Sequence, residues 1–243
     1  MSNKTIEGLL ERKSVRVFTK KQISKKDKQA IFEAAINAPT AGNMQLYSII
    51  DVTDEDVKVK LSIYCDNQPF IKDAKMVLVF LADYQKWYEG FKQCGCKPRH
   101  PSYGDFQLST VDAVIAAQNA VVAAWSLGIG SCYIGDIIER HDDVCKILNL
   151  SSYAVPACMV VFGYPTKQQL LRNKPKRVDL KYTVFENEYR KLSKEETKDM
   201  FQNKAPEGLY ESWMNAFYKR KYNSDFCKEM SKSMKKYLKK YEI

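Results

Sequence analysis

Residues 109–127 carry apolar side chains around almost the whole circumference of a helix. The most apolar part, residues 113–125, is too short for a membrane span and contains two side-chain amides. The pattern predicts a buried helix, with Ser109 and Asp112 as a capping box at its start and Gly128 just past its end. A helix that is apolar all round must be covered from several sides, so it indicates a layered fold with this helix near the centre.

Residues 74–83, AKMVLVFLAD, form a nearly continuous apolar run, which is typical of a central strand covered on both faces. Shorter runs predict further strands at 46–53, 132–137 and 154–165. Helices are predicted between the strands, one capped by Ser24 with Asp27 and another by Thr53. This alternation of helices and strands places the chain in the α+β or α/β class.

Two stretches lack a sustained periodic pattern of apolar residues. Residues 83–106 are rich in aromatic residues, Gly and Pro, which predicts a loop or lid. The polar and basic sequence after Pro165 predicts an extended arm before the final helices. A length of 243 residues with 45% hydrophobic content suits one domain over 1–243. We expect a core of about 1–165 and an extension of about 166–243.

The seven cysteines are odd in number and scattered, unlike the dense sets of secreted disulfide frameworks. The first residues lack the apolar core of a secretory signal, so we expect a cytoplasmic protein with reduced thiols and no membrane association. Cys94, Cys96 and His100 have the spacing C-x-C-x3-H, but this spacing is unusual and lacks a nearby fourth ligand. No metal site is predicted.

The formal net charge is +10, and residues 219–240 hold nine Lys or Arg. A basic nucleic-acid-binding protein is therefore one alternative. The simpler interpretation is an amphipathic helix with solvated lysines, because apolar residues recur there with helical spacing. These are Phe226, Met230, Met234, Tyr237, Leu238 and Tyr241. We accordingly predict no nucleic-acid partner.

Three segments have the chemistry of an anion or cofactor site. Residues 12–16, RKSVR, combine guanidinium, ammonium and hydroxyl groups that suit a phosphate monoester, although a solvated basic turn fits equally well. Residues 38–45, APTAGNMQ, expose backbone and amide groups or form a plain loop. Residues 128–137, GIGSCYIGDI, supply glycines that let the backbone approach a flat ligand closely, but they match neither the G-x-G-x-x-G motif nor a Walker A loop. The only histidines are His100 and His141 and no catalytic triad is visible, so a bound cofactor is the simplest hypothesis.

Taken in order, RKSVRVF, APTAGNMQ, NQPFIKDAKMVLVFLADY, CYIGDI, FGYP and KPKRVDL followed by ENEY resemble the nitroreductase superfamily of FMN-dependent oxidoreductases. The resemblance covers nearly the whole chain and is greatest to the NADPH-type nitroreductase and flavin reductase group, because of the extension after GYP. It implies an α+β fold with a central mixed sheet flanked by helices. It also implies an obligate homodimer with swapped terminal segments and one FMN per subunit at the interface.

The resemblance implies roles for residues of the first two segments. Arg12 and Ser14, with Lys13 between them, match the group that holds the FMN phosphate. Arg16 matches a cation beside the N1–O2 edge of the flavin, where it would stabilise the anionic reduced ring. The loop along the isoalloxazine is matched by Pro39, Thr40, Ala41, Asn43 and Gln45.

Further roles follow from later motifs. Gln68 matches an amide that reaches the flavin pyrimidine ring. Tyr133, Ile134 and Gly135 match the segment whose backbone approaches flavin N5. Arg177 matches a second phosphate-binding arginine. The lysine usual two residues before it is replaced by Pro175, which leaves Lys174 and Lys176 as candidates, with Lys219 and Arg220 merely nearby.

The implied reaction is ping-pong. NADPH or NADH delivers a hydride to flavin N5 and leaves, and a small electron-accepting aromatic compound is then reduced at the same face. Nitroaromatics, quinones and flavins are the expected acceptors. No catalytic side chain is expected, only the Gly135 backbone near N5. An FMN protein of the same superfamily with non-reductase chemistry is the second alternative.

Overall fold

The structure is a computed structural model that describes residues 3–202 and 204–242. Within these residues, one sheet has the strand order β1-β2-β4-β3. The strands are β1 (Tyr47–Asp51), β2 (Met76–Asp83), β3 (Gly130–Ile134) and β4 (Ala154–Gly163). The helices are α1 (Lys4–Glu11), α2 (Lys25–Ile36), α3 (Glu55–Tyr64), α4 (Phe70–Asp73), α5 (Gln85–Gln93), α6 (Tyr103–Ser126), α7 (His141–Leu148), α8 (Lys167–Leu171), α9 (Lys194–Gln202), α10 (Tyr210–Lys221) and α11 (Asp225–Leu238).

Neighbouring strands of the sheet run antiparallel. The prediction of a mixed sheet is therefore wrong for these four strands. The reason is visible between β1 and β2, where α3 and α4 return the chain to the end of the sheet at which β1 finished. The parallel pairing found among the described residues is an isolated bridge between Ser14 and Ser131.

The prediction of a central, doubly covered strand is confirmed for β2, which lies between β1 and β4 and is buried along its whole length. Alternate residues of β2 point to opposite faces, as the pleat requires. Leu78 and Phe80 join a core with α2 and α6, whereas Val77 and Val79 join a second core with α3 and α7. Helices thus cover both faces of the sheet.

Helix α6 is buried as predicted but begins earlier. Its capping box is formed by Ser102 and Asp105, so the prediction of a capping box at Ser109 and Asp112 is wrong. Ser109 lies inside the helix and donates its hydroxyl to the Asp105 carbonyl oxygen at 2.7 Å. By length and composition α6 could cross a membrane, but its buried residues pack against α2 and the sheet. Such burial is typical of a core helix.

Other element boundaries also differ from the sequence pattern. The segment 83–106 contains α5, so its assignment to a loop is wrong for that part. Tyr88 packs edge-on against Tyr153 at a ring distance of 5.4 Å, a tertiary contact that the local pattern cannot show. The cap of α3 is Asp54 rather than Thr53, whereas the Ser24 cap of α2 is confirmed. The arm after Pro165 contains α8 and α9, which the sequence did not predict.

The chain divides into two compact units, Met1–Arg172 with Glu229–Ile243, and Asn173–Lys228. In the first unit, the end of α11 packs as the amphipathic pattern predicts, with Tyr237 and Tyr241 buried beside Tyr153 and Val155. In the second unit, the side chains of Lys181 and Tyr182 bond to Asp199 of α9, and Trp213 stacks on Phe217 in α10. The predicted single domain stays a prediction.

Candidate functional site

The RKSVR segment lies along the edge strand β3. The N–H group of Val15 donates to the Ser131 carbonyl oxygen at 2.9 Å, beside the bridge between Ser14 and Ser131. Val15 is 1% exposed and packs on Gly130, where an added Cβ would lie 2.6 Å from the Val15 side chain. Gly130 therefore permits the close approach that ties the segment to the strand.

Ser14 and Arg16 flank Val15 next to Cys132 of β3, whose thiol donates to the Tyr133 carbonyl oxygen at 3.5 Å. Burial raises the pKa of the Cys132 thiol, and the charge of Arg16 with the polar groups of Ser14 and Arg16 opposes that rise. The net upward direction keeps the thiol neutral, so Cys132 is a packing group and not a nucleophile.

Arg12 carries the feature of the segment that most clearly points to a ligand. Its side chain is half-buried, and its Nη1 atom is buried without a hydrogen-bond partner. An unpaired buried donor is unfavourable, and a phosphate oxygen is the acceptor that a guanidinium fork matches best. With the Ser14 hydroxyl, which also sits in this segment, Arg12 fits a phosphate monoester.

Lys13 lies differently from the other cations of the segment. Its ammonium group donates to the Leu170 carbonyl oxygen at 2.6 Å and also to the Arg172 carbonyl oxygen, so it satisfies the C-terminal end of α8. The Arg172 side chain in turn donates to the Ser14 carbonyl oxygen at 2.5 Å. Sequence reasoning missed Arg172, although its place five residues before Arg177 in a basic run was a signal.

The second segment forms a tight turn with left-handed backbone at Gly42, Asn43 and Gln45, whose φ angles are 55°, 57° and 49°. The Thr40 hydroxyl accepts from the Gln45 N–H at 3.2 Å. The Gln45 side-chain amide donates to the Ile36 carbonyl oxygen of α2 at 3.1 Å. Pro39 and Asn43 are exposed and Ala41 is half-buried, so the turn presents backbone at the surface.

Asp112 of α6 is a residue of this site that sequence reasoning placed wrongly. It is 2% exposed, and its two carboxylate oxygens accept from the N–H groups of Ala41 at 2.9 Å and Leu46 at 3.1 Å. Its signal was a charged residue inside an otherwise apolar helix, which has to be paired when it is buried.

The third segment, residues 128–137, contains β3 and the turn that follows it. Ile134 is buried, whereas Gly135 is exposed, with open space around a hypothetical Cβ. The Tyr133 hydroxyl donates to Gln118 Oε1 at 3.2 Å, and burial raises its pKa. The structure therefore supports an accessible backbone at Gly135, at the end of the strand that carries the RKSVR segment.

Gln68 lies close to this third segment. Its amide nitrogen donates to Asp136 Oδ2 at 2.7 Å and to the Cys65 carbonyl oxygen at 2.9 Å. The structure thus brings Gln68 to the residue that follows Gly135. A role of its amide toward a flavin stays a prediction.

Lys174, Lys176 and Arg177 belong to the second compact unit. Lys176 and Arg177 are exposed, and Arg177 Nη1 donates to the Pro175 carbonyl oxygen at 3.5 Å. Their assignment to a phosphate stays a prediction.

Cys94, Cys96 and His100 do not form a metal centre in the described part of the chain, which holds no suitable group of three or more His, Cys, Asp or Glu. His100 Nδ1 instead lies 3.0 Å from the Tyr153 hydroxyl oxygen. All seven cysteines are free thiols.

Comparisons with known proteins identify the family of the chain. The model of the Nitroreductase family matches residues 9–164. The chain is 32% identical to an FMN reductase (NADPH) of Bacillus subtilis over 189 residues, which cover 77% of this chain and 75% of the relative. It is 30% identical to an oxygen-insensitive NADPH nitroreductase of Salmonella typhimurium over 190 residues, again 77% and 75% of the two chains.

The fold gives the same result. The structure of an NADPH:FMN oxidoreductase from Vibrio harveyi complexed with NAD+ superimposes with a TM-score of 0.83. The superposition covers 97% of this chain and 98% of that one, at 26% identity. The chain therefore belongs to the nitroreductase family.

Proposed function

We propose that this chain is an FMN-dependent NAD(P)H oxidoreductase that reduces small electron-accepting aromatic compounds such as nitroaromatics, quinones or flavins. The observation that carries the proposal is the buried, unpartnered Nη1 atom of Arg12. Its segment is bound to β3, the strand that the exposed Gly135 directly follows. The first feature suits the phosphate of FMN, and the second allows a flat ring to approach the backbone.

The chain's own residues bind and orient the cofactor in this proposal. Arg12 and the Ser14 hydroxyl hold the phosphate, and Arg16 supplies positive charge at the flavin ring. The turn at 39–45 and the backbone of residues 133–135 contact the ring, while Lys174, Lys176 and Arg177 contribute further cations. Bound FMN would supply the hydride chemistry, taking electrons from NADPH or NADH and passing them to the acceptor in a ping-pong sequence.

The protein acts as a homodimer in this proposal, with swapped terminal segments and the FMN site at the interface. Apolar side chains stand exposed on α1 and α6, which a water-soluble monomer would rarely leave uncovered. They are Ile6, Leu9, Leu10, Leu108, Val111 and Val114. A groove of about 400 Å³ between α1 and the C-terminal end of α6 is lined partly by Val122, Trp125 and Arg12 itself. A second copy that covers this region would also enclose the phosphate-binding arginine.

The test is the visible absorption spectrum of the purified protein, recorded before and after anaerobic addition of NADPH and then of a quinone. Flavin bands that bleach with NADPH and return with the quinone are expected. Arg12→Ala should weaken FMN binding at least tenfold, whereas Lys20→Ala, an exposed cation nearby, should leave it unchanged. A colourless wild-type protein that takes up no added FMN would contradict the proposal. Affinity for DNA or RNA that falls steeply with salt would then favour the basic-protein alternative.

A further inference from the structure

The turn at residues 41–46 has a backbone conformation that one of its residues, Gln45, does not favour. Asn43 and Gln45 both have left-handed backbone, a conformation that is uncommon for residues with a Cβ and is least unfavourable for Gly and Asn. Gln45 is neither of these. A turn with this backbone persists only where surrounding groups determine it.

Asp112 of α6 is the group that holds the backbone of this turn in place. One carboxylate oxygen accepts from the Ala41 N–H and the other from the Leu46 N–H, so a single side chain bonds to both ends of the turn. The carboxylate is 2% exposed, and charge-assisted bonds of this kind are stronger than neutral ones. Losing either acceptor would leave the half-buried N–H of Ala41 or the buried N–H of Leu46 unpaired, or would force the turn to move.

Other contacts act within the turn and do not replace Asp112. The Thr40 hydroxyl accepts from the Gln45 N–H, and the Trp87 indole of α5 donates to the Met44 carbonyl oxygen at 2.7 Å. Trp87 is 36% exposed, so its hydrogen bond to Met44 lies at the protein surface. Asp112 instead lies on the rigid central helix, which is the better support for a precise site.

We propose that Asp112 is a positioning residue for the cofactor, which fixes the backbone of residues 41–46 in the shape that contacts the flavin ring before the flavin arrives. The inference rests on the proposed function. Its physical basis is pre-organisation: a turn that is already ordered loses little further freedom on binding, and this strengthens binding without any direct contact from Asp112. Asp112 acts through the turn and does not touch the flavin.

Asp112→Asn tests this role, because an amide offers one acceptor where the carboxylate offers two and turns its NH2 group toward an N–H of the turn. The matched control is Asp105→Asn, since Asp105 is also buried on α6 but bonds to Arg99 and to the Ser102 N–H. We expect Asp112→Asn to raise the FMN dissociation constant at least tenfold and to change the visible circular dichroism of bound flavin. Asp105→Asn should lower the melting temperature and leave both flavin readouts unchanged.

The outcomes separate the two hypotheses. A wild-type protein that does not bind FMN contradicts the proposed function. A wild-type protein that binds FMN, with an equal dissociation constant and an equal dichroism spectrum in folded Asp112→Asn, overturns the positioning role alone. Should Asp112→Asn not fold, hydrogen exchange of the wild-type protein decides. The amides of Ala41 and Leu46 are expected to be protected without FMN, and fast exchange that slows only when FMN is added would overturn the inference.

Discussion

Gly130 and Val15 make the close approach that holds the RKSVR segment on β3. In a Gly130→Ala variant the new methyl group would lie 2.6 Å and 2.8 Å from two Val15 carbons, so the segment or the strand must shift. Overpacking of this kind costs about 1–3 kcal/mol. We expect a fall of that size in the free energy of unfolding, measured with urea, together with weaker FMN retention.

Gly90→Ala is the control for this prediction. Gly90 lies within α5 and has no neighbouring atom within 4 Å of a new Cβ. Alanine there is expected to stabilise the helix by about 0.5–1 kcal/mol. Equal effects of the two substitutions would contradict the steric role of Gly130.

Glu139 should make stability depend on pH. Burial is the main cause that raises its pKa to about 8. The negative charges of Asp136, Asp66 and Glu229 raise this pKa further, whereas the positive charge of Arg140 lowers it. Its Oε1 atom is buried without a hydrogen-bond partner. An unfolded Glu ionises near pH 4.5, so between about 4.5 and 8 the folded state binds more protons and stability falls as pH rises.

Glu139→Gln removes this dependence. We expect the free energy of unfolding of the variant, relative to the wild type, to increase by about 1–3 kcal/mol from pH 5 to pH 8. Denaturant titrations at the two pH values measure it, with the exposed Glu11→Gln as control. A difference between variant and wild type that does not change with pH would contradict the prediction.

For individual residues, the sequence indicated which functional groups suit a ligand better than it indicated which groups each side chain contacts. The functional groups of RKSVR marked the segment as a candidate phosphate site, and the resemblance assigned Arg12 and Ser14 to it; this assignment stays a prediction, to which the structure adds the unpaired guanidinium nitrogen. The role of Lys13 toward a cofactor also stays a prediction. The sequence could not show that its ammonium group bonds to carbonyl oxygens at the end of α8, because tertiary packing decides which groups a long flexible side chain reaches. Asp112 was misread as a cap because its true partners are 66 and 71 residues away.

Among the secondary-structure elements, α11 depends on a few aromatic residues. Tyr241, in the turn that follows α11, is fully buried, with edge-on contacts to Phe106 and Tyr153 at ring distances of 5.4 and 5.3 Å. Its hydroxyl oxygen is buried without a hydrogen-bond partner. The ring therefore stabilises the packing of the C-terminal segment, whereas the hydroxyl group does not.

Two substitutions separate these contributions. Tyr241→Ala should lower the free energy of unfolding by about 3–5 kcal/mol, because it removes a buried ring. Tyr241→Phe should leave the free energy unchanged or raise it by up to about 1 kcal/mol, because no hydrogen bond is lost. Thermal and urea unfolding measure both. A large loss in Tyr241→Phe would reveal a bond that the buried hydroxyl makes after all.

The sequence predicted elements where one pattern dominates and failed where two patterns compete. Strand β2 and the buried part of α6 have unambiguous apolar runs. Helix α5 does not, because its neighbouring Gly and Pro residues gave a loop signal while contacts such as that of Tyr88 with Tyr153 stabilise a helix. The antiparallel order of the sheet depends on connections through helices, which strand patterns do not encode.

At the scale of the whole molecule, the exposed apolar faces of α1 and α6 require an explanation. Leu108, Val111 and Val114 are 49%, 42% and 41% exposed on a helix whose other face is the core of the fold. The same helix thus has both a packed face and an uncovered apolar one, which is the arrangement expected when a second copy completes the fold. In the proposed homodimer this face is buried near the FMN site.

A Leu108→Glu/Val111→Glu double variant tests this arrangement. Burying two carboxylates without partners is strongly unfavourable, so the variant should elute at the 28.1 kDa of one chain, whereas the wild type should elute at twice that mass. Light scattering coupled to size exclusion measures the mass, and the absorbance of bound flavin measured in the same peak should fall with it. Val59→Glu is the control, since Val59 is 42% exposed on α3. A wild-type monomer that retains FMN would show that one chain completes the site by itself, and it would leave the apolar faces of α1 and α6 to another partner.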